Sequence, residues 1–185
     1  MSFDLTAEQA ILRDSLSACL ARHWDQARHN KGGIEARRRL WDDVVRELGL
    51  TGVTIPEAQG GLGGGRVDMM VIARELGRAL ALEGFVPTVV CGGALFARTG
   101  DLHLALAHVE PGQRPDARAV ASRVAEGRLT GTKVMVAGAP LATHFIVSAN
   151  EPGQDAFSLF LVPAGSPGIR RRDFNQIDGQ PASEL

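Results

Sequence analysis

Five glycines between positions 60 and 65 are the residues whose spacing most invites chemistry. Backbone N–H groups in such a loop can converge on a phosphate when a strand leads in and a helix leads out. Here a helix and only a short extended piece precede the loop, and Arg66 stands where a Lys-Ser or Lys-Thr pair would follow. No acidic residue completes a dinucleotide-binding βαβ unit. The loop therefore reads as a tight connection between packed helices. Cys19 and Cys91 fit neither zinc spacing nor a redox pair, and both fall in apolar helical patterns that predict buried free thiols. His103 and His108 share one predicted strand, but their odd separation puts them on opposite faces. His23 and His29 lie on or beside a polar helix end and are expected to be solvated, and Arg170, Arg171 and Arg172 read as a solvated strand edge. No metal site and no Ser-His-Asp or Cys-His arrangement is legible, so no catalytic residue can be named.

These candidates must be positioned by a chain of 185 residues, 44% of them apolar, which is a globular composition with room for a sizeable core. A net charge of −1 argues against non-specific nucleic-acid or anionic-membrane binding. Lys31 and Lys133 are the only lysines among 20 basic residues, a bias that reads as genomic composition. Asp4 and Glu8 stand where a signal peptide would carry positive charge, and the longest apolar stretch, 85–97, contains Pro87 and is too short to span a bilayer. With the cysteine usage, this predicts a cytoplasmic protein.

Residues 1–100 carry helical periodicity. Thr6 and Gln9 form a capping box, with Leu12, Leu16, Cys19 and Leu20 on the face that follows. A polar break at 29–33 precedes a second stripe of Leu40, Trp41, Val44, Val45 and Leu48, which Gly49 ends in a left-handed conformation. A third helix is expected over about 68–80, with Met69, Ile72, Ala73, Leu76 and Leu80 inward, and a fourth from near Pro87 to before Gly100. Beyond Gly100 the period becomes two. Leu102, Leu104 and Leu106 alternate, and strands are predicted at 117–124, 129–136, 145–149, 157–162 and 169–174, with turns at Glu126-Gly127 and Pro152-Gly153. Helices first and strands afterwards indicate an α+β fold in two domains, 1–100 and 101–185.

The order of short motifs resembles the acyl-CoA dehydrogenase family over essentially the whole chain. The matching stretches are Phe3-Asp4-Leu5-Thr6-Ala7-Glu8-Gln9, Leu40-Trp41 leading into Leu48-Gly49-Leu50, Ile55-Pro56-Glu57 with Gly60-Gly61-Leu62-Gly63, and Arg74-Glu75-Leu76-Gly77-Arg78. Leu104-Ala105-Leu106-Ala107 before Glu110-Pro111, and Leu129-Thr130-Gly131-Thr132-Lys133, complete the series. The resemblance implies an N-terminal helical domain followed by an antiparallel β-domain, here partial, with the C-terminal helical bundle not present. It also implies FAD as cofactor, α,β-dehydrogenation of an acyl-CoA thioester, an electron acceptor such as an electron-transfer flavoprotein, and a homo- or hetero-oligomer of dehydrogenase subunits.

By the same resemblance, His108, Val109, Glu110, Met135, Val136 and Ala137 lie nearest the flavin, and Phe85, Val89, Val90 and Pro115 line the substrate site. For Phe85, Val89 and Val90, ordinary helix-core packing is the other reading. Departures accompany the match. Val109 stands where the family usually has a flavin-facing threonine, Arg114-Pro115-Asp116 where it has Gly-Ser-Asp, and Met135-Val136-Ala137 where it has Trp-Ile-Thr. Met135 fits either a flavin contact through its sulfur or plain core. The stretch 107–112 resembles the small subunits of pimeloyl-CoA and steroid-CoA dehydrogenases, whose heteromers can divide flavin site and base between chains. The family's usual glutamate base belongs to the bundle, and Gly100 runs directly into Asp101 where a helix is expected. The expectation is thus a dehydrogenase chain or fragment, with segments missing at that join and after Leu185, or alternatively a non-catalytic subunit of a heteromer.

Overall fold

The computed structural model describes residues 4–81, 84–92, 102–112 and 119–185, with the side chains of 26–32 and 46 left aside. Its contacts divide into two units, Met1–Asp101 and Leu102–Leu185. Pro115, His29's side chain and the Gly100–Asp101 join lie outside the described residues.

In the first unit, helix α1 (Ala7–His23) opens on the capping box the sequence encodes. The Gln9 N–H donates to Thr6 Oγ1 at 3.2 Å, and the Thr6 N–H donates to Gln9 Oε1 at 3.1 Å. Two orphan donors are thereby satisfied. Helix α2 (Gln26–Leu48) is interrupted at Gly33, whose φ of 62° and ψ of −158° are not helical, so the expected polar break appears as a kink between two helical stretches. Leu40, Trp41, Val44 and Val45 bury the predicted stripe, and Gly49 takes the left-handed conformation at φ 62°.

The glycine loop folds back on its own backbone. The N–H groups of Leu62, Gly63 and Gly64 donate to the carbonyls of Gly52, Ile55 and Val53 at 2.8, 2.8 and 2.7 Å. A Cβ on Gly61 would stand 2.1 Å from the Ile55 carbonyl oxygen, and one on Gly64 2.7 Å from that of Val53. Glycine is needed there for close approach, and those three donors already have acceptors within the loop.

Helix α3 (Arg66–Ala79) begins two residues earlier than the periodicity suggests, where the Gly65 N–H donates to Asp68 Oδ2 at 2.7 Å. Its inward face also differs. Val71, Ile72, Glu75 and Leu76 are buried, while Ala73 and Leu80 are exposed, Leu80 because it caps the helix in a left-handed conformation. Glu75 tolerates burial because Arg78 Nε donates to its carboxylate at 3.0 Å. The same guanidinium donates to Ser17 Oγ on α1 at 2.7 Å. A wide π-type helix, Phe85–Gly92, starts two residues before Pro87 and adds Phe85 and Val89 to a core with Leu16, Leu20, Trp41, Ile72 and Leu76.

In the second unit, β1 (Leu104–Ala107) runs parallel to β5 (His144–Ala149), which pairs antiparallel with β6 (Ser158–Pro163). Strands β2 (Arg123–Ala125) and β3 (Arg128–Thr130) form a hairpin around Glu126 and Gly127, both at positive φ as a tight hairpin turn demands. Strand β8 (Pro181–Glu184) sits between β4 (Val136–Ala137) and β7 (Arg172–Asn175), antiparallel to both. Among the named strands the pairing is antiparallel except for β1–β5, and a single parallel bridge joins Arg123 to Asn150.

Several sequence expectations change: of the expected strand 117–124 the described residues form only β2 from Arg123, and the expected strand 169–174 becomes β7, starting at Arg172. The predicted strand 129–136 divides into β3 and β4, with Met135 at a φ of 54° just before β4. Strand β8 had no signal, since Pro181 heads it and its residues do not alternate. On β1, Ala105 and Ala107 face the core with Phe145, Val147 and Val136, and Leu106 is partly exposed. Leu104 is buried as well, so the strand does not simply alternate. Among the described residues no helix is long and apolar enough to cross a membrane.

Candidate functional site

Lys133 is one of the chain's two lysines, and the fold buries it almost completely. A buried ammonium is tolerable only when its protons find acceptors. Each of the three has one: Glu110 Oε1 at 2.7 Å, Ser148 Oγ at 2.9 Å and the His108 carbonyl at 3.4 Å. The Glu110 carboxylate, equally buried, also accepts from the Ala121 N–H at 2.6 Å, the Ser122 N–H at 2.9 Å and the Ser122 hydroxyl at 2.5 Å. Burial pushes the carboxyl's pKa up, but the hydrogen bonds from Lys133, Ser122 and the two backbone N–H groups outweigh it and bring it down to about 2. Gly131 is part of the same construction, because a Cβ there would lie 2.0 Å from Ser122 Oγ.

This network ties four segments together: the stretch after β1, the one before β2, the one after β3, and β5. The Val134 N–H donates to the Val109 carbonyl at 2.8 Å, and Lys133 exchanges two backbone bonds of 2.9 Å with Leu185. His108 Nδ1 lies 2.9 Å from Ser148 Oγ, with its ring 5.3 Å from that of Phe157.

Of the six positions that resemblance assigns to the cofactor, two turn inward. Glu110 is held in the Lys133 pair, and Val136 is fully buried in β4 opposite Ser183. Val109 and His108 are half-buried, and Met135 and Ala137 are exposed. Met135 is 52% exposed on a left-handed backbone, so the plain-core reading of its side chain does not hold. Phe85 and Val89 are buried in the helical core, while Val90 is 37% exposed. Sequence reasoning missed the Lys133–Glu110–Ser122–Ser148 network. Its one available signal was a lysine in a chain that otherwise uses arginine.

Two further side chains depart from expectation. Cys91 is half-buried rather than buried. His23 is not simply solvated: its Nε2 lies 3.3 Å from Glu47 Oε2 and its Nδ1 3.7 Å from Asp43 Oδ2. Among the arginines of the predicted edge, Arg172 forks onto the Glu184 carboxylate at 2.6 and 3.0 Å, and Arg171 pairs with Asp173 at 2.8 Å.

A helical unit followed by a small β-unit is an α+β architecture in two units. The family model for the acyl-CoA dehydrogenase N-terminal domain matches residues 6–101, and that for the middle domain matches residues 105–185. The chain belongs to the acyl-CoA dehydrogenase family. It is 30% identical over 146 residues to acyl-CoA dehydrogenase FadE27 of Mycobacterium tuberculosis, an alignment covering 71% of this chain and 38% of that protein. A point variant of the Tcur3481-Tcur3483 steroid ACAD superposes with a TM-score of 0.75 at 26% identity, over 96% of this chain and 54% of that one. An acyl-CoA dehydrogenase complexed with FAD from Bacillus anthracis shares the fold at a TM-score of 0.78 and 24% identity, over 98% of this chain and 35% of that one. The chain therefore spans between about a third and just over half the length of these relatives.

Proposed function

We propose that this chain provides the N-terminal and middle domains of an FAD-dependent acyl-CoA dehydrogenase that converts an acyl-CoA to the 2,3-enoyl-CoA. The observation that carries the reading is the pairing of Val109 with Val134 beside exposed Met135, held rigidly by the buried Glu110–Lys133 pair. Val109, Met135 and Ala137 offer no side-chain hydroxyl, but they offer an apolar, polarizable surface of the kind an isoalloxazine ring packs on. The residues fit a flavin held by surface contact and backbone groups, with His108 at the margin. When bound, the flavin supplies hydride acceptance.

The roles left to this chain are to orient ring and thioester and to exclude water, which needs a rigid support more than a reactive side chain. Glu110 is unsuited to proton abstraction, since a carboxylate with a pKa near 2 that already accepts four hydrogen bonds is a poor base. In this reading the α-proton is removed by a carboxylate outside residues 1–185, on the same protein or a partner subunit. Phe85, Val89, Val90 and Pro115 are proposed for the acyl side, and the chain is proposed to work as a cytoplasmic oligomer that passes electrons to an acceptor such as an electron-transfer flavoprotein. Cys19 and Cys91 as free thiols support the compartment.

A non-catalytic subunit of a heteromeric dehydrogenase is the second reading, favoured by the missing hydroxyls at Val109 and Ala137. One experiment separates the two. The purified full-length protein is scanned for flavin absorbance and assayed with acyl-CoA thioesters and an artificial electron acceptor, alone and with candidate dehydrogenase subunits. Bound flavin with turnover supports the first reading. A colourless protein, active only in raising a partner's turnover, supports the second. A colourless protein with no effect on any subunit sinks both.

A further inference from the structure

In the helical unit, far along the chain from the proposed flavin surface, donors from two helices converge. Cys19 and His23 are four residues apart on α1, and Asp43 and Glu47 are four apart on α2, so each pair projects from one helical face. Among the described residues, Cys19, His23 and Glu47 bring one ligand atom each to within 4.8 Å of one another. We propose that Cys19 Sγ, His23 Nε2 and Glu47 Oε2 form a site for a zinc-class divalent cation, with water completing the coordination.

The donor set is the sulfur, imidazole and carboxylate combination that zinc takes, and the geometry suits it. Metal–nitrogen and metal–oxygen bonds near 2.0–2.2 Å at a tetrahedral angle separate the two ligand atoms by roughly 3.4 Å. His23 Nε2 and Glu47 Oε2 stand 3.3 Å apart, longer than the roughly 2.7–2.9 Å of a good charged hydrogen bond. Outer partners are also at hand. Asp43 Oδ2 stands 3.7 Å from the other ring nitrogen, His23 Nδ1, beyond hydrogen-bond length, and a small side-chain shift would complete the carboxylate–histidine arrangement of a metal ligand. Arg22 occupies the remaining Glu47 oxygen, Oε1, which leaves Oε2 for the ion. His23 and Glu47 are each about a third exposed, so an ion can enter from solvent, while Cys19 closes the inner side. Binding displaces the thiol proton to solvent and leaves a thiolate on the metal.

Cobalt(II) is the probe, because thiolate ligation gives it a near-ultraviolet charge-transfer band and tetrahedral geometry gives strong visible bands. Titrated into the purified full chain, cobalt should bind at one equivalent with both features, and zinc should displace it. Cys91→Ser should keep the charge-transfer band, and Cys19→Ser should lose it. Should Cys19→Ser fail to fold, Glu47→Gln, a surface change, provides the second arm: cobalt affinity should fall at least tenfold. Absence of a charge-transfer band in the wild type, its loss in Cys91→Ser, or unchanged affinity in Glu47→Gln would each overturn the assignment.

Discussion

The two units each contain a polar cluster built around a carboxylate, and the clusters are opposites. In the β-unit, Glu110 and Lys133 are sealed from solvent, all three ammonium protons have acceptors, and both carboxylate oxygens accept hydrogen bonds. In the helical unit, His23 and Glu47 stay partly open to water; the His23 contacts are long, and Glu47 divides its oxygens between Arg22 and His23. A saturated network has no capacity left for a ligand and serves to fix backbone. An unsaturated one at a helix end costs little to rearrange and keeps its donors available. The same carboxylate chemistry is structural in one place and receptive in the other because burial and partner count differ.

The contrast predicts a graded response. Lys133→Met leaves a buried carboxylate without its counter-charge and should cost roughly 3–5 kcal/mol in urea unfolding, whereas the double variant Glu110→Leu with Lys133→Met should recover much of that loss. A single-variant cost no larger than that of a surface substitution would show that the pair is not desolvated in solution. Ser148→Ala removes one acceptor from the ammonium and should cost roughly 1–3 kcal/mol.

The acid response follows from Glu110. Its pKa is depressed in the fold, about 2 against an ordinary 4.5. Its contribution to stability is therefore fully present above the ordinary value and is lost as pH falls through that interval toward 2. Urea midpoints measured across this range should fall less steeply in Glu110→Gln than in the wild type, and equal slopes would contradict the assignment. The smallest effect belongs to the open cluster: in metal-free buffer Glu47→Gln should leave the unfolding midpoint unchanged within error. A clear drop there would mean that the helical cluster is as structural as the buried one.

The sequence legibly encodes what depends on neighbours along the chain. The Thr6–Gln9 capping box, the stripe from Leu40 to Val45, the left-handed Gly49, the Glu126-Gly127 hairpin turn and the order of family motifs are all local, set by dihedral preference and by periods of 3.6 and 2. Errors arose where a tertiary partner outvoted the pattern. Ala105 and Ala107 join Leu104 in the interior while Leu106 is exposed, and Glu75 lies buried where the periodicity points to Ala73. The apolar pattern alone favours core for Met135, yet on a backbone of positive φ the side chain is half exposed. The candidate site was readable as a set of positions but not as a mechanism of support. Glu110 and Lys133 are 23 residues apart, and nothing local marks them as partners. Cys19 with His23, and Asp43 with Glu47, are each visible as i, i+4 pairs, but only the packing of α1 against α2 decides that the two pairs meet. Local dihedral chemistry is written residue by residue. Convergence of distant charges is a property of how helices and strands exclude water together, and it exists only once they have packed.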